Sequence, residues 1–133
     1  YGPRQPIYGE VGVIAIYTDR VVNDENLVIF GDGGHERDYI YVSDIVDFTL
    51  QAIAMDKSSI FNVGRGVPVT VNELFSVFQK YDPTGKEAVR KPERYGEIGS
   101  FFCDISSALA TGWRWKVDLE EGIEKTISSF NDK

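Results

Sequence analysis

Cysteine is nearly missing from these 133 residues, and the one present, Cys103, has no partner for an internal disulfide. A lone thiol of this kind fits a reducing compartment and reads as a structural, buried side chain. Basic residues are also short: 14 Lys and Arg face 21 Asp and Glu, a net charge of −7. Nucleic acid and anionic lipid attract proteins through basic patches, so the balance argues against both as partners. No apolar run approaches the ~20 residues that span a bilayer, and no leader-like segment opens the chain, which points to the cytoplasm. There is a single histidine, His35. It stands beside Asp32, Glu36 and Asp38, but one imidazole with no thiolate nearby matches no common metal site, so a solvated turn is expected and no metal. An initiator methionine is absent as well, and the opening Tyr1-Gly2-Pro3-Arg4-Gln5 reads as a turn inside a longer protein.

What is present suffices for one domain over residues 1–133: 42 % of the residues are hydrophobic, which can build a core and excludes disorder. Residues 11–22 place Val13, Ile16, Tyr17 and Val21 near helical spacing. Leu27 to Phe30, Tyr39 to Val42 and Ile60 to Val63 are short apolar runs bounded by turns, each expected to be a strand. Ser43 or Asp44 is expected to cap a helix presenting Ile45, Phe48, Ala52 and Met55 on one side. Thr70-Val71-Asn72-Glu73 spells a capping box opening a helix to about Gln79. Around residues 89–97, Pro92 and Gly96 leave loop or edge strand. A short helix over residues 104–110 stops at Gly112, and residues 118–121 cap a last helix carrying Leu119, Ile123, Ile127 and Phe130. Strands alternating with capped helices make the fold α/β, yet three clear strands fall short of an ordinary sheet.

Chemistry-bearing patterns are few. Gly9, Gly12 and Ala15 fit a relative of the dinucleotide fingerprint, but no apolar strand feeds them, so no cofactor-binding residues are expected. No tyrosine precedes a lysine by four positions, and no catalytic set is visible. Arg37 and Arg94 remain. Two arginine forks converging from separate loops would clamp a diphosphate, whereas apart they are surface residues, and Arg37 could equally form a local ion pair with Asp38.

A resemblance carries further. The opening Tyr1 to Gln5, the run Val28 to Gly33, Arg37-Asp38-Tyr39-Ile40-Tyr41-Val42-Ser43-Asp44, Phe61-Asn62-Val63-Gly64, Arg94-Tyr95-Gly96-Glu97, Gly112-Trp113 and Leu119 to Ile123 occur in one order. Together they resemble the C-terminal part of the NAD-dependent nucleotide-sugar epimerases and dehydratases, extended short-chain dehydrogenases/reductases, and in particular the UDP-glucose 4-epimerase type. The resemblance implies a substrate-binding portion lacking the N-terminal dinucleotide-binding half. It implies that Arg37 and Arg94 grip the diphosphate of a nucleotide sugar, that Glu97 meets the ribose hydroxyls, and that the backbone at Val28 and Phe30 meets the base. It further implies a homodimeric parent whose missing half holds NAD and the catalytic tyrosine, so this chain alone would be inactive. A stand-alone binding or regulatory module, or the same portion of a dehydratase or reductase, is the alternative. One departure is visible: where the family has Leu-Gly-Trp, this chain has Thr111-Gly112-Trp113, with the preceding helix about a residue short.

Overall fold

The computed structural model describes residues 1–8, 12–56 and 58–131, the last by its backbone alone. Gly9, the first residue of the Gly9, Gly12 and Ala15 pattern, lies outside the described residues together with Glu10 and Val11. Helix α1 (Val13–Val22) buries Ile14, Ala15, Tyr17 and Thr18. The amphipathic spacing prevails over β-branching there because a whole side of the helix is covered. Tyr17 closes its end of the core by donating its hydroxyl to the Val28 carbonyl at 2.8 Å, and burial pushes its phenol up to about 12.

Strand β1 (Val28–Phe30) pairs in parallel with β4 (Val89–Lys91), which settles the 89–97 stretch as edge strand followed by loop. A second sheet has the order β3-β2-β5, with β2 (Glu36–Asp38) antiparallel to β3 (Pro68–Thr70) and parallel to β5 (Ser100–Phe101). Helix α3 (Val71–Gln79) begins on the expected capping box. Thr70 Oγ1 accepts from the Glu73 amide at 3.1 Å, and Glu73 Oε2 accepts from the Thr70 amide at 2.7 Å. Helix α4 (Ser106–Ala110) ends before Gly112, whose φ of 87° suits glycine, and α5 (Leu119–Asn131) starts where Asp118 Oδ1 accepts from the Glu121 amide at 2.9 Å. One core cluster joins Ile14 and Tyr17 of α1, Leu74 and Phe78 of α3, and Ile123 and Ile127 of α5; another joins Phe48, Ala108 and Trp113.

Three expectations are corrected. The second strand is Glu36–Asp38, not Tyr39 to Val42. Tyr39 and Ile40 do pack on the two core clusters, but the neighbour of this stretch is a single residue: the Tyr1 amino group donates to the Ile40 carbonyl at 2.9 Å and the Val42 amide to the Tyr1 carbonyl at 2.8 Å. Residues 60–63 are not a strand either, because Ile60 points to solvent while Phe61 and Val63 pack on the Phe48 cluster, leaving no ladder. Finally, helix α2 (Val42–Ile53) starts after Tyr41 with no side-chain cap, and ends before Met55. Asp44, the third residue of the helix, is buried and accepts from the Lys116 and Val117 amides at 3.0 and 3.2 Å, so it anchors the segment entering α5.

Candidate nucleotide-binding site

The glycine turn between β1 and β2 is held from two sides. Asn72, in the first turn of α3, donates its side-chain amide to the Asp32 carbonyl at 2.8 Å and its backbone amide to the Gly33 carbonyl at 3.0 Å. Arg90 of β4 donates to the same Asp32 carbonyl at 2.9 Å. Gly33 has φ of 76°, and a Cβ there would collide with the Asn72 side chain, so the turn requires glycine.

His35 leaves this turn with only 17 % of its side chain exposed. Its Nδ1 lies 3.0 Å from Glu97 Oε2 and its Nε2 lies 3.1 Å from Glu93 Oε1. The solvated histidine expected from the sequence is therefore a bridging one, and the reason it was missed is distance: its partners are 62 and 58 positions away. Among the described residues no group of three or more His, Cys, Asp or Glu could hold a metal. A pocket of about 530 Å³ opens beside the imidazole, lined by Asp32, Gly34, His35, Glu36, Glu93, Gly99 and Ser100. Its three carboxylates suit hydroxyl donors and repel phosphate.

Two arginines follow lining residues in sequence, Arg94 after Glu93 and Arg37 after Glu36. The Arg94 guanidinium stands 3.7 Å over the Phe30 ring, a cation–π contact, and its Nη1 lies 3.7 Å from Glu97 Oε1. Four residues from three parts of the chain, Phe30, His35, Arg94 and Glu97, thus form one contact network. Val28 stands two residues before Phe30 on β1. The ends of the β1–β4 ladder are bonds from the Val89 amide to the Leu27 carbonyl and from the Gly31 amide to the Lys91 carbonyl. Alternation then turns the backbone groups of Val28 and Phe30 away from β4, where the Val28 carbonyl meets Tyr17.

Arg37 lies two residues beyond His35, on β2, half-buried, with Nη1 donating to the Glu36 carbonyl at 2.7 Å. Its charge opposes the burial that pushes the Tyr39 phenol up. It does not pair with Asp38. That carboxylate accepts from the Arg65, Gly66 and Cys103 amides at 2.9, 3.0 and 3.4 Å, tying two loops to β2. Among the described residues no hydrogen bond or ion pair joins Arg37 to Arg94. Cys103, expected to be buried, is half-exposed beside this junction.

The fold is an α/β portion with few strands and a glycine turn braced by the start of a helix, and comparison with known proteins gives its class. The model of the NAD dependent epimerase/dehydratase family matches residues 1–64. The chain is 38 % identical to a putative UDP-glucose 4-epimerase of Methanocaldococcus jannaschii over 96 % of its own length and 42 % of that protein. Among solved structures it resembles the UDP-glucose 4-epimerase of Thermotoga maritima with UDP-glucose, with a TM-score of 0.93 and 43 % identity over 99 % of this chain and 43 % of that one. The Thermus thermophilus UDP-glucose 4-epimerase in complex with NAD gives a TM-score of 0.84 and 33 % identity, over 98 % and 43 % of the two chains. The chain belongs to the NAD-dependent epimerase/dehydratase family of extended short-chain dehydrogenases/reductases, and corresponds to the C-terminal portion of such structures. It spans about two fifths of the length of the relatives it matches.

Proposed function

We propose that this chain is the nucleotide-sugar-binding portion of a UDP-glucose 4-epimerase-like enzyme, gripping the nucleotide diphosphate. The observation that carries the reading is the network of Phe30, Arg94, Glu97 and His35 at the β1 edge. It gathers a cation and a carboxylate beside the β1 edge that faces away from β4, the chemistry that a diphosphate and a ribose each require. Arg37, entering from β2 two residues past His35, supplies the second fork. The structure of the Thermotoga maritima relative with UDP-glucose supports the ligand class.

In this reading the chain's share of the work is orientation. Binding energy realised on the nucleotide holds the sugar against the reacting centre, which truncated ligands cannot do. Hydride exchange is the chemistry that bound NAD would supply in the parent. Residues outside this sequence would hold NAD and act as catalyst, in a cytoplasmic homodimer. A dehydratase or reductase using the same portion, or a binding module without catalysis, fits the same geometry. No helix among the described residues is long and apolar enough to cross a membrane. Calorimetric titration tests the reading: UDP and UDP-glucose bind this chain and NAD does not. Binding of NAD with no response to either nucleotide would overturn it.

A further inference from the structure

The segment 92–99 has little to hold it in place. It contains no helix or strand, its residues are exposed, and Pro92 and Gly96, with φ of 81°, exclude a regular helix. With so little apolar burial, its position depends on a few polar contacts. The Glu36 amide donates to the Gly99 carbonyl at 2.8 Å at one end; the others are the two His35 contacts and the stand of Arg94 over Phe30 beside Glu97. His35 touches Glu93 and Glu97, which flank Arg94 on both sides in sequence.

We propose that His35 is a positioning residue, a clasp that holds the 92–99 segment onto the Gly31–Gly34 turn through Glu93 and Glu97 and thereby sets where Arg94 stands. An imidazole donates from both ring nitrogens only as imidazolium; a neutral ring turns a lone pair toward one of the two carboxylates. The charged groups around it are Glu93 and Glu97 from the segment, Asp32 from the turn, Glu36 beside it on β2, and Arg94 across Glu97. Loss of the imidazole removes both contacts at once, and the segment loosens. The consequence for ligand rests on the nucleotide-binding reading; the clasp itself does not.

The test therefore has a ligand-free arm and a nucleotide arm. Within 92–99 the only trypsin-sensitive bond is Arg94–Tyr95, and Lys91 is protected by the proline that follows it. Its cleavage in the folded protein, normalised to a short peptide with the same bond, reports how often the segment opens. His35→Ala and Glu93→Gln raise that rate about fivefold or more, since proteolysis follows the open population. His35→Gln, which keeps a donor without a charge, falls between. Unchanged cleavage in His35→Ala and Glu93→Gln overturns the clasp. Should His35→Ala not fold, the other two variants carry the same comparison. In the nucleotide arm, UDP affinity falls with the cleavage rate rising; a fall in affinity without faster cleavage also overturns the clasp, because His35 would then be touching ligand directly. If no variant and no wild type binds UDP, the functional reading fails while the cleavage result alone decides the clasp.

Discussion

Replacing Asp38 by alanine removes one carboxylate and leaves three backbone amides, those of Arg65, Gly66 and Cys103, without their acceptor. Each buried donor left unsatisfied costs about 1–3 kcal/mol. These are half-buried, so water satisfies part of the loss, and the Cys103 contact at 3.4 Å is the weakest. The sum expected is about 2–4 kcal/mol, read by urea denaturation with the slope unchanged. Gly64 sharpens the test. Its backbone is not left-handed, so alanine fits it conformationally, yet a Cβ there would collide with Asp38 Oδ2. Gly64→Ala alone should cost about 1–3 kcal/mol as an overpacked contact. In the Asp38→Ala background that collision is gone, and the two changes should couple by about 1 kcal/mol or more. A loss below about 0.5 kcal/mol for Asp38→Ala, or strictly additive effects in the double variant, would refute the role of Asp38 as the tie between β2 and the two loops.

Further outcomes are expected. Thr70→Ala destabilises by about 1 kcal/mol through the lost cap of α3. The Glu73 carboxyl is held below its ordinary range by the Thr70 backbone and hydroxyl donors; its contribution is present above the ordinary carboxylate range and is lost as pH falls through the lowered folded value. The gap between wild type and Thr70→Ala thus narrows in acid to the part due to the Glu73 amide bond to Thr70 Oγ1, as a pH series of melting temperatures would show. Tyr17→Phe costs about 1–2 kcal/mol for the bond to the Val28 carbonyl. Because burial raises the Tyr17 phenol from 10.0 to about 12, wild-type stability falls across that interval with rising pH, and the variant should be flatter there. Leu50→Lys on the exposed side of α2, where Leu50 is 62 % exposed, changes stability by no more than about 0.5 kcal/mol.

The elements legible in the sequence were those whose cause is local. Thr70 and Glu73 meet three residues apart, so both ends of α3 were correctly placed. Residues 89–91 were read as possible edge strand, and β4 is one. The apolar run Tyr39 to Val42 misled because extended, buried backbone needs a ladder to be a strand, and here its neighbour is Tyr1. Asp44 looked like a helix cap by position, but its partners, the amides of residues 116 and 117, lie more than seventy positions away. In the candidate site, Phe30, Arg94 and Glu97 were named from the family resemblance, and the structure brings them into contact. His35 and Glu93 were missed because no local spacing signals a bridge closed by the path of the chain.

The central claim is that Arg37 and Arg94 hold the diphosphate in a protein whose net charge of −7 otherwise repels it. The most direct measurement is a calorimetric titration of UDP into wild type, Arg37→Ala, Arg94→Ala and the double variant, in the whole protein. Each single variant should lose about 1.5–3 kcal/mol of affinity, the worth of hydrogen bonds to a charged group, and Arg→Lys should recover only part because an ammonium cannot make the paired bonds. Single variants that bind UDP as tightly as wild type would contradict the clamp and leave both arginines as ordinary surface and structural residues.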